Sequence, residues 1–289
     1  MINVDPRRPR GIVWIASYPK SGNTWMRMFL YQLMRIMGGH PREPDELNKL
    51  DRSSMYEARL YGLFQQTLGK PLGDATLAEV SRVRQHVHAT IAERVNNIAL
   101  VKTHNVLGEI YDVPIINTSV SVGAIYIVRD PRDIASSLAR HLGASTDEAI
   151  RVLGRSGYAT RNTEESAFET WGSWSEHILS WTMTPSDALL LVRYEDMQAR
   201  PIETFTAVVK HLGQSPTPEQ IAEAVELSTF EKLKDQEEQY DFRERSPRSD
   251  RFFVSGRAGG WREKLSEAQV ETIVQDHRAQ MQKVGYLDN

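Results

Sequence analysis

The sequence predicts a three-layer α/β fold, a central parallel sheet flanked by helices. Three observations lead there. Four short apolar runs, 12–16, 98–101, 124–128 and 188–192, are bounded by polar or turn residues and separated by helical patterns. Each run is apolar throughout rather than alternating, which suits strands covered on both faces. The chain has 289 residues, 40% of them hydrophobic and 25% charged, enough for one such domain with a core of its own.

Along the chain, the first strand, 12–16, is followed by a turn and an amphipathic stretch, so a helix is expected after Asn23. Further helices are expected after Leu77, Pro131, Glu165, Pro201, Pro218 and Ser266. The helix after strand 124–128 has good start signals: Asp130 can cap, Pro131 suits the first turn, and Asp133 places a carboxylate at the positive end of the dipole. Ser266 and Gln269 have capping-box spacing. The N-terminal residues 1–10 read as a polar, arginine-rich tail. Residues 235–260 lack a clean period and read as a mobile loop covering a ligand. Residues 1–289 are taken as a single domain.

Composition narrows the function. There are no cysteines, so disulfides and thiolate metal sites are excluded. A net charge of -3 argues against general nucleic-acid binding. No run approaches the roughly 20 apolar residues of a membrane span, and no signal-peptide pattern follows the tail. The expectation is a cytoplasmic protein with no nucleic-acid or membrane partner. One local feature departs from the mean: 243–262 holds six arginines against Glu244 and Asp250. It reads as a local anion site or a solvated loop.

The strongest motif is Ser17-Tyr18-Pro19-Lys20-Ser21-Gly22-Asn23-Thr24-Trp25, between the first strand and its helix. A tight turn opening a helix directs backbone N–H groups and the helix dipole at an anion. Lys20 adds a charge, and Ser21, Asn23 and Thr24 add short polar side chains. It is not a Walker A loop, because the lysine precedes the glycine. A second motif, Arg129-Asp130-Pro131-Arg132-Asp133, places Arg129 at the carboxyl end of a strand, where open α/β sheets bind ligands. Ser137 lies further along the helix. A third segment, Lys102-Thr103-His104, ends the strand 98–101. Three strands thus end near Lys20, Lys102 with His104, and Arg129. Such a set can neutralise a transferring anionic group and take an acceptor proton, since an ordinary histidine titrates near pH 6.5.

The order Tyr18-Pro19-Lys20-Ser21-Gly22-Asn23-Thr24-Trp25 resembles the 5'-phosphosulfate loop of the sulfotransferase family that uses 3'-phosphoadenosine 5'-phosphosulfate (PAPS). Segments resembling that family run in order from 12 to 271. The resemblance implies a P-loop-NTPase-like sulfotransferase fold and transfer of a sulfuryl group from PAPS to a hydroxyl or amine of a small-molecule acceptor. The product nucleotide would be adenosine 3',5'-bisphosphate (PAP), and no metal is required. It assigns His104 as base, Lys102 to the sulfuryl oxygens and Lys20 to the bridging oxygen. Lys20, Ser21, Gly22, Asn23, Thr24 and Trp25 would bind the donor's phosphosulfate end and base. Arg129 and Ser137 would hold the 3'-phosphate. Tyr194, Thr229 and Phe230 would lie at the adenine, with Trp25 stacked opposite Phe230.

Two departures stand out. Where the family has Arg-Lys before a glycine, this chain has Val254 and Ser255 before Gly256. The Gly256 backbone N–H still serves, and Arg257, or else Arg251, is the expected replacement. The family's dimer motif is poorly matched at Arg262, Ser266, Glu267 and Glu271, so no oligomeric state is predicted. Two other functions fit less well. A nucleotide-dependent kinase on a related fold lacks its Gly-Lys-Ser/Thr signature here. A non-catalytic nucleotide-binding protein would not need Lys20, Lys102 and His104 together. His86 and His88 are two apart, which separates them on a helix. The acceptor is not specified; Met55, Tyr56, Leu60, Tyr61, Leu63 and Phe64 suit an apolar cavity or ordinary core packing.

Overall fold

The computed structural model describes residues 10–288. The elements in chain order are β1 (Gly11–Ser17), α1 (Asn23–Met37), β2 (Met55–Tyr56), α2 (Tyr61–Leu68), α3 (Leu77–Arg94), β3 (Ile98–Thr103), β4 (Glu109–Ile110), β5 (Val113–Pro114) and β6 (Ser121–Val128). They continue with α4 (Pro131–Leu142), α5 (Thr146–Gly154), α6 (Trp174–Thr182), β7 (Leu189–Arg193), α7 (Tyr194–Ala199), α8 (Pro201–His211), α9 (Pro218–Leu227), α10 (Phe230–Tyr240) and α11 (Glu267–Lys283).

Five strands form one parallel sheet in the order β2-β3-β1-β6-β7, with helices around it. The four apolar runs are its four longer strands. The fifth, β2, is two residues long and too short to leave a pattern. All seven residues of β1 are buried, as expected for a central strand covered on both faces. From β1 the chain passes to β3 on one side and later to β6 on the other. The carboxyl end of β1 is therefore a topological switch point, the place where open α/β sheets bind ligands.

The predicted helix starts hold except one. Leu77 follows a Thr76–Glu79 capping box, Pro131 follows the Asp130 cap, and Ser266 with Gln269 forms the expected capping box. The helix expected after Glu165 begins instead at Trp174, where Ser173 and Glu176 form a capping box. The chain before it is irregular, with isolated bridges Ala159–Thr170 and Thr163–Ser166. The stretch expected to be a loop from 235 starts as helix, because α10 runs to Tyr240. The expected N-terminal tail lies outside the described residues except for Arg10.

The chain separates into two compact units. One takes the chain up to Tyr18, Met55–Tyr126 and Arg155–Leu191. It holds a buried polar cluster. The Glu57 carboxylate meets Arg84 at 3.4 Å and accepts from Asn105 Nδ2 at 3.2 Å, with His88 beside it. Burial alone would raise Glu57, but Arg84, His88 and Asn105 hold it below the usual carboxylate range.

The other unit takes Pro19–Ser54, Ile127–Gly154 and the chain from Val192. Its apolar cluster joins Met28 and Tyr31 of α1 to Leu47, Leu50, Leu233, Phe242 and Phe253. Arg27, one turn into α1, has a fully buried side chain. It ion-pairs with Glu244 at 2.6 Å and Asp51 at 3.3 Å, and donates to Ser54. The segment after α10 is therefore tied to the first turns of α1. Glu237 adds to that hold by accepting the Phe252 and Phe253 N–H groups at 2.6 and 2.8 Å.

Candidate active site

The loop after β1 has an unusual backbone. Lys20 has φ 69° and Gly22 has φ 102°, both in the left-handed region that costs a side chain energy. At Gly22 a Cβ would strike the Tyr194 ring, so only glycine fits. Gly22 caps α1 without a side-chain hydrogen bond, leaving the first-turn N–H groups directed out of the helix end. Ser21, Asn23 and Thr24 are buried. The buried Ser21 Oγ and Trp25 Nε1 have no hydrogen-bond partner among the described residues. Buried polar atoms are rarely left this way, so the loop presents donors suited to an anion. Lys20 Nζ lies 3.6 Å over the Phe252 ring.

Arg129 leaves β6 against this loop. It is 8% exposed; its Nη1 donates to the Lys20 carbonyl at 3.2 Å and its Nη2 to the Arg257 carbonyl at 3.3 Å. Its guanidinium sits 4.1 Å over the Tyr194 ring. The Tyr194 hydroxyl donates to the Gly256 carbonyl, which Gln198 also reaches at 2.7 Å. Gly256 has φ 55°, and a Cβ there would enter the Phe230 ring. Thr229 caps α10, and Phe230 with Trp25 packs against the apolar cluster. Asp133 accepts the Gly259 and Trp261 N–H groups at 2.7 and 2.9 Å, which fixes the turn after Gly256.

The expected replacement, Arg257, is not turned inward. Its side chain is 71% exposed and pairs with Glu263 at 3.3 Å. Only its carbonyl meets the Arg129 group. Arg251 likewise pairs with Glu238 at 2.9 Å on the surface.

In the other unit, β3 pairs with β1 so that Lys102 lies beside Ile15 and Thr103 beside Ala16. His104 thus leaves β3 next to Ser17, three residues before Lys20 in the chain. His104 Nδ1 is 2.8 Å from the Ser17 carbonyl. A carbonyl only accepts, so Nδ1 donates in this contact, and in the neutral ring Nε2 then keeps the lone pair. The backbone of His104 is held at both ends. Its N–H donates to Glu169 Oε1 at 3.2 Å, and its carbonyl accepts from His177 Nε2 at 3.1 Å. His177 Nδ1 accepts from the Tyr126 hydroxyl at 2.8 Å, which agrees with a neutral ring. Burial pushes His177 down to about 3, against the opposing effect of the His104 carbonyl.

Lys102 is 6% exposed, and its Nζ lies 3.7 Å over the Tyr56 ring. The Tyr56 hydroxyl donates to Glu169 Oε2 at 3.0 Å. Burial raises the Glu169 carboxyl above its ordinary value, with Lys102 opposing. Asn105 completes the corner, accepting the Thr170 N–H at 2.8 Å while its carbonyl accepts from Trp181 at 3.0 Å.

The structure thus gathers Lys20, Ser21, Gly22, Asn23, Thr24, Trp25, Arg129, Tyr194, Phe230 and Gly256 in one unit, and Lys102 with His104 in the other. Ser137 lies half-buried on α4 and lines a cavity with Lys20. Glu169 and His177 have no place among the residues expected at the site, Ser17 only opens the loop motif, and Tyr56 is expected only to line an apolar cavity or the core. Their roles depend on contacts across 65 to 113 residues of chain, which no local pattern records. His86 and His88 separate as expected, the first exposed and the second buried.

Comparison with known proteins bears on this site. Sulfotransferase 1A1 of Rattus norvegicus is 27% identical over 229 residues, covering 76% of this chain but only 66% of that protein. Cytosolic sulfotransferase 16 of Arabidopsis thaliana is 24% identical over 284 residues, covering 91% of this chain and 74% of that protein. A structure of retinol dehydratase with androsterone and the inactive cofactor PAP superposes with TM-score 0.64 at 20% identity, over 93% of this chain and 80% of that one. The fold is thus that of the sulfotransferase structures. A sulfotransferase-domain family model matches residues 10–285, and the chain belongs to that family.

Proposed function

We propose that this protein transfers a sulfuryl group from PAPS to a hydroxyl or amine of a small-molecule acceptor. The observation that carries the reading is the contact of His104 Nδ1 with the Ser17 carbonyl. With its proton on Nδ1 facing the Ser17 carbonyl, Nε2 is the nitrogen able to take a proton. The bound donor supplies the sulfuryl group. As the acceptor oxygen or nitrogen bonds to sulfur, its proton passes to His104 Nε2. The bond from sulfur to the 5'-phosphate oxygen breaks, and its electron pair leaves with PAP. Lys102 offsets charge on the sulfuryl oxygens and Lys20 on the departing oxygen.

The donor's fit rests on the loop after β1. Ser21 Oγ and Trp25 Nε1 are buried and without a partner among the described residues, and the α1 N-terminus suits an anion. Arg129 and Ser137 take the 3'-phosphate, and Tyr194, Thr229, Phe230 and Trp25 the adenine. This reading takes both compact units as one catalytic domain. It places the protein in the cytoplasm, and no described helix is long and apolar enough to cross a membrane. Positive side chains fill the place of a metal, so turnover is expected without one. Residues 241–260 are proposed to close further when nucleotide binds.

Calorimetric titration with PAP, with 5'-AMP and ATP as controls, tests the donor. Tight binding that needs the 3'-phosphate supports it. Preference for ATP, with magnesium-dependent turnover, would replace it with the kinase reading.

A further inference from the structure

Ser137 and Arg140 are three residues apart on α4 and share a helix face. Both line a cavity that also takes in Lys20, Arg245, Arg251 and Phe252. Four of these side chains are cationic, and no carboxylate belongs to the lining. The cations differ in what holds them. Arg245 pairs with Asp241 at 2.9 Å, and Arg251 with Glu238 at 2.9 Å. Lys20 lies over Phe252. The Arg140 side chain makes no hydrogen bond or ion pair among the described residues.

Arg140 is half-buried. Burial, and then the positive charge of Arg129, push its pKa down. The charge of Arg129 thus disfavours that of Arg140, and a dianion bound beside Arg140 offsets that repulsion. The family's usual arginine and lysine are absent: Val254 is exposed, and Ser255 Oγ accepts from Lys264 at 3.2 Å. Arg257 pairs with Glu263 at the surface and does not line the cavity, and Arg251, which does line it, is held by Glu238. The chain around the cavity is tied to α4. Ser246 Oγ donates to the His141 carbonyl at 2.8 Å, and Arg248 to that of Leu142 at 3.3 Å.

We infer that Arg140, with Ser137, binds the 3'-phosphate of the donor nucleotide in place of the missing arginine–lysine pair. The inference rests on the function proposed above. A planar guanidinium can give two parallel hydrogen bonds to such a phosphate. The same lining would suit an anionic group on the acceptor, and the test separates the two.

The experiment titrates wild type, Arg140→Gln and Arg140→Lys with PAP and with 5'-AMP, which lacks the 3'-phosphate, after thermal melts show that each variant is folded. Wild type must prefer PAP; if it does not, the donor assignment itself fails. Given that preference, Arg140→Gln is expected to weaken PAP by about 10- to 100-fold, the loss of a charged hydrogen-bonding group. Binding of 5'-AMP should stay within about twofold by the same accounting. Arg140→Lys should fall between, because a point charge replaces a fork. Equal weakening of both nucleotides, or of neither, overturns the inference. So does an Arg140→Gln enzyme with normal PAP affinity and a raised KM for the acceptor, which would assign the cavity to the acceptor.

Discussion

The Ser17 carbonyl oxygen lies 2.8 Å from Nδ1 of His104. A backbone acceptor on β1 thus fixes which nitrogen of a histidine after β3 can take a proton. Replacing His104 by alanine should leave PAP affinity near that of wild type and lower kcat by about 10²- to 10⁴-fold, the usual worth of a general base. Calorimetry and a sulfuryl-transfer assay on one preparation check this. Loss of nucleotide binding in His104→Ala would point to a structural role instead.

Glu169 holds the His104 N–H and the Tyr56 hydroxyl. Glu169→Ala should lower kcat by roughly tenfold or more, since small displacements of reacting groups are costly. PAP affinity should not change. Glu169→Gln keeps an acceptor for the His104 N–H and should recover part of the loss. Steady-state kinetics of the two variants give the comparison, and an unaltered kcat in Glu169→Ala would remove the positioning role.

Burial depresses His177 to about 3 and His277 to about 4. Both are neutral in the folded state, whereas an unfolded histidine takes its proton near pH 6.5. The unfolded state therefore binds more protons below that value. Stability is full above about pH 6.5 and falls as the pH drops toward 4, by up to about 1.4 kcal/mol per pH unit for each group. Urea titrations at pH 7.5 and 5.5 should show the lower midpoint at 5.5. His177→Gln should reduce the difference.

Lys20 holds a left-handed backbone with φ 69°, at a cost on the order of 1 kcal/mol that glycine would not bear. Lys20→Gly should melt at or slightly above the wild-type temperature while losing transfer activity. Calorimetric melting with an activity assay tests the pair; a clear drop in melting temperature would mean that the contact with Phe252 outweighs the backbone strain.

Residues 241–260 are proposed to tighten around bound nucleotide. PAP should slow proteolytic cleavage within them, and 5'-AMP should do so less. Cleavage at the same rate with and without PAP would count against closure.

Much of this was legible in the sequence because it is local. The all-apolar run of β1 followed by Lys20-Ser21-Gly22 specifies strand, turn and helix within a few residues. Asp130 with Pro131, and Ser266 with Gln269, mark helix starts by chemistry that needs no partner elsewhere. What escaped depends on distance. The two-residue β2 has no period of its own and exists through its pairing with β3. Glu169 looks like any charged residue between segments until folding brings it to His104. The helix expected after Glu165 failed because Ser173 and Glu176 supply the stronger cap. Arg257 is the cation next to the altered motif, yet Glu263, six residues on, pairs with its side chain. Arg140 carries no marker, since its interest lies in having no carboxylate partner among the described residues.

The Arg27–Glu244 pair, with its arginine fully buried, has a consequence for anyone screening random variants for lost activity. Cutting one side of such a pair costs about 3–5 kcal/mol, a large share of a small domain's stability. Clones altered at Arg27 or at Glu244, 217 positions away, will drop out of a screen as completely as those altered at Lys20 or His104. On a map of hits the first pair will resemble a second catalytic centre. Soluble yield at reduced growth temperature distinguishes them: the Arg27 and Glu244 clones regain activity when their protein is kept folded, and the His104 clones do not.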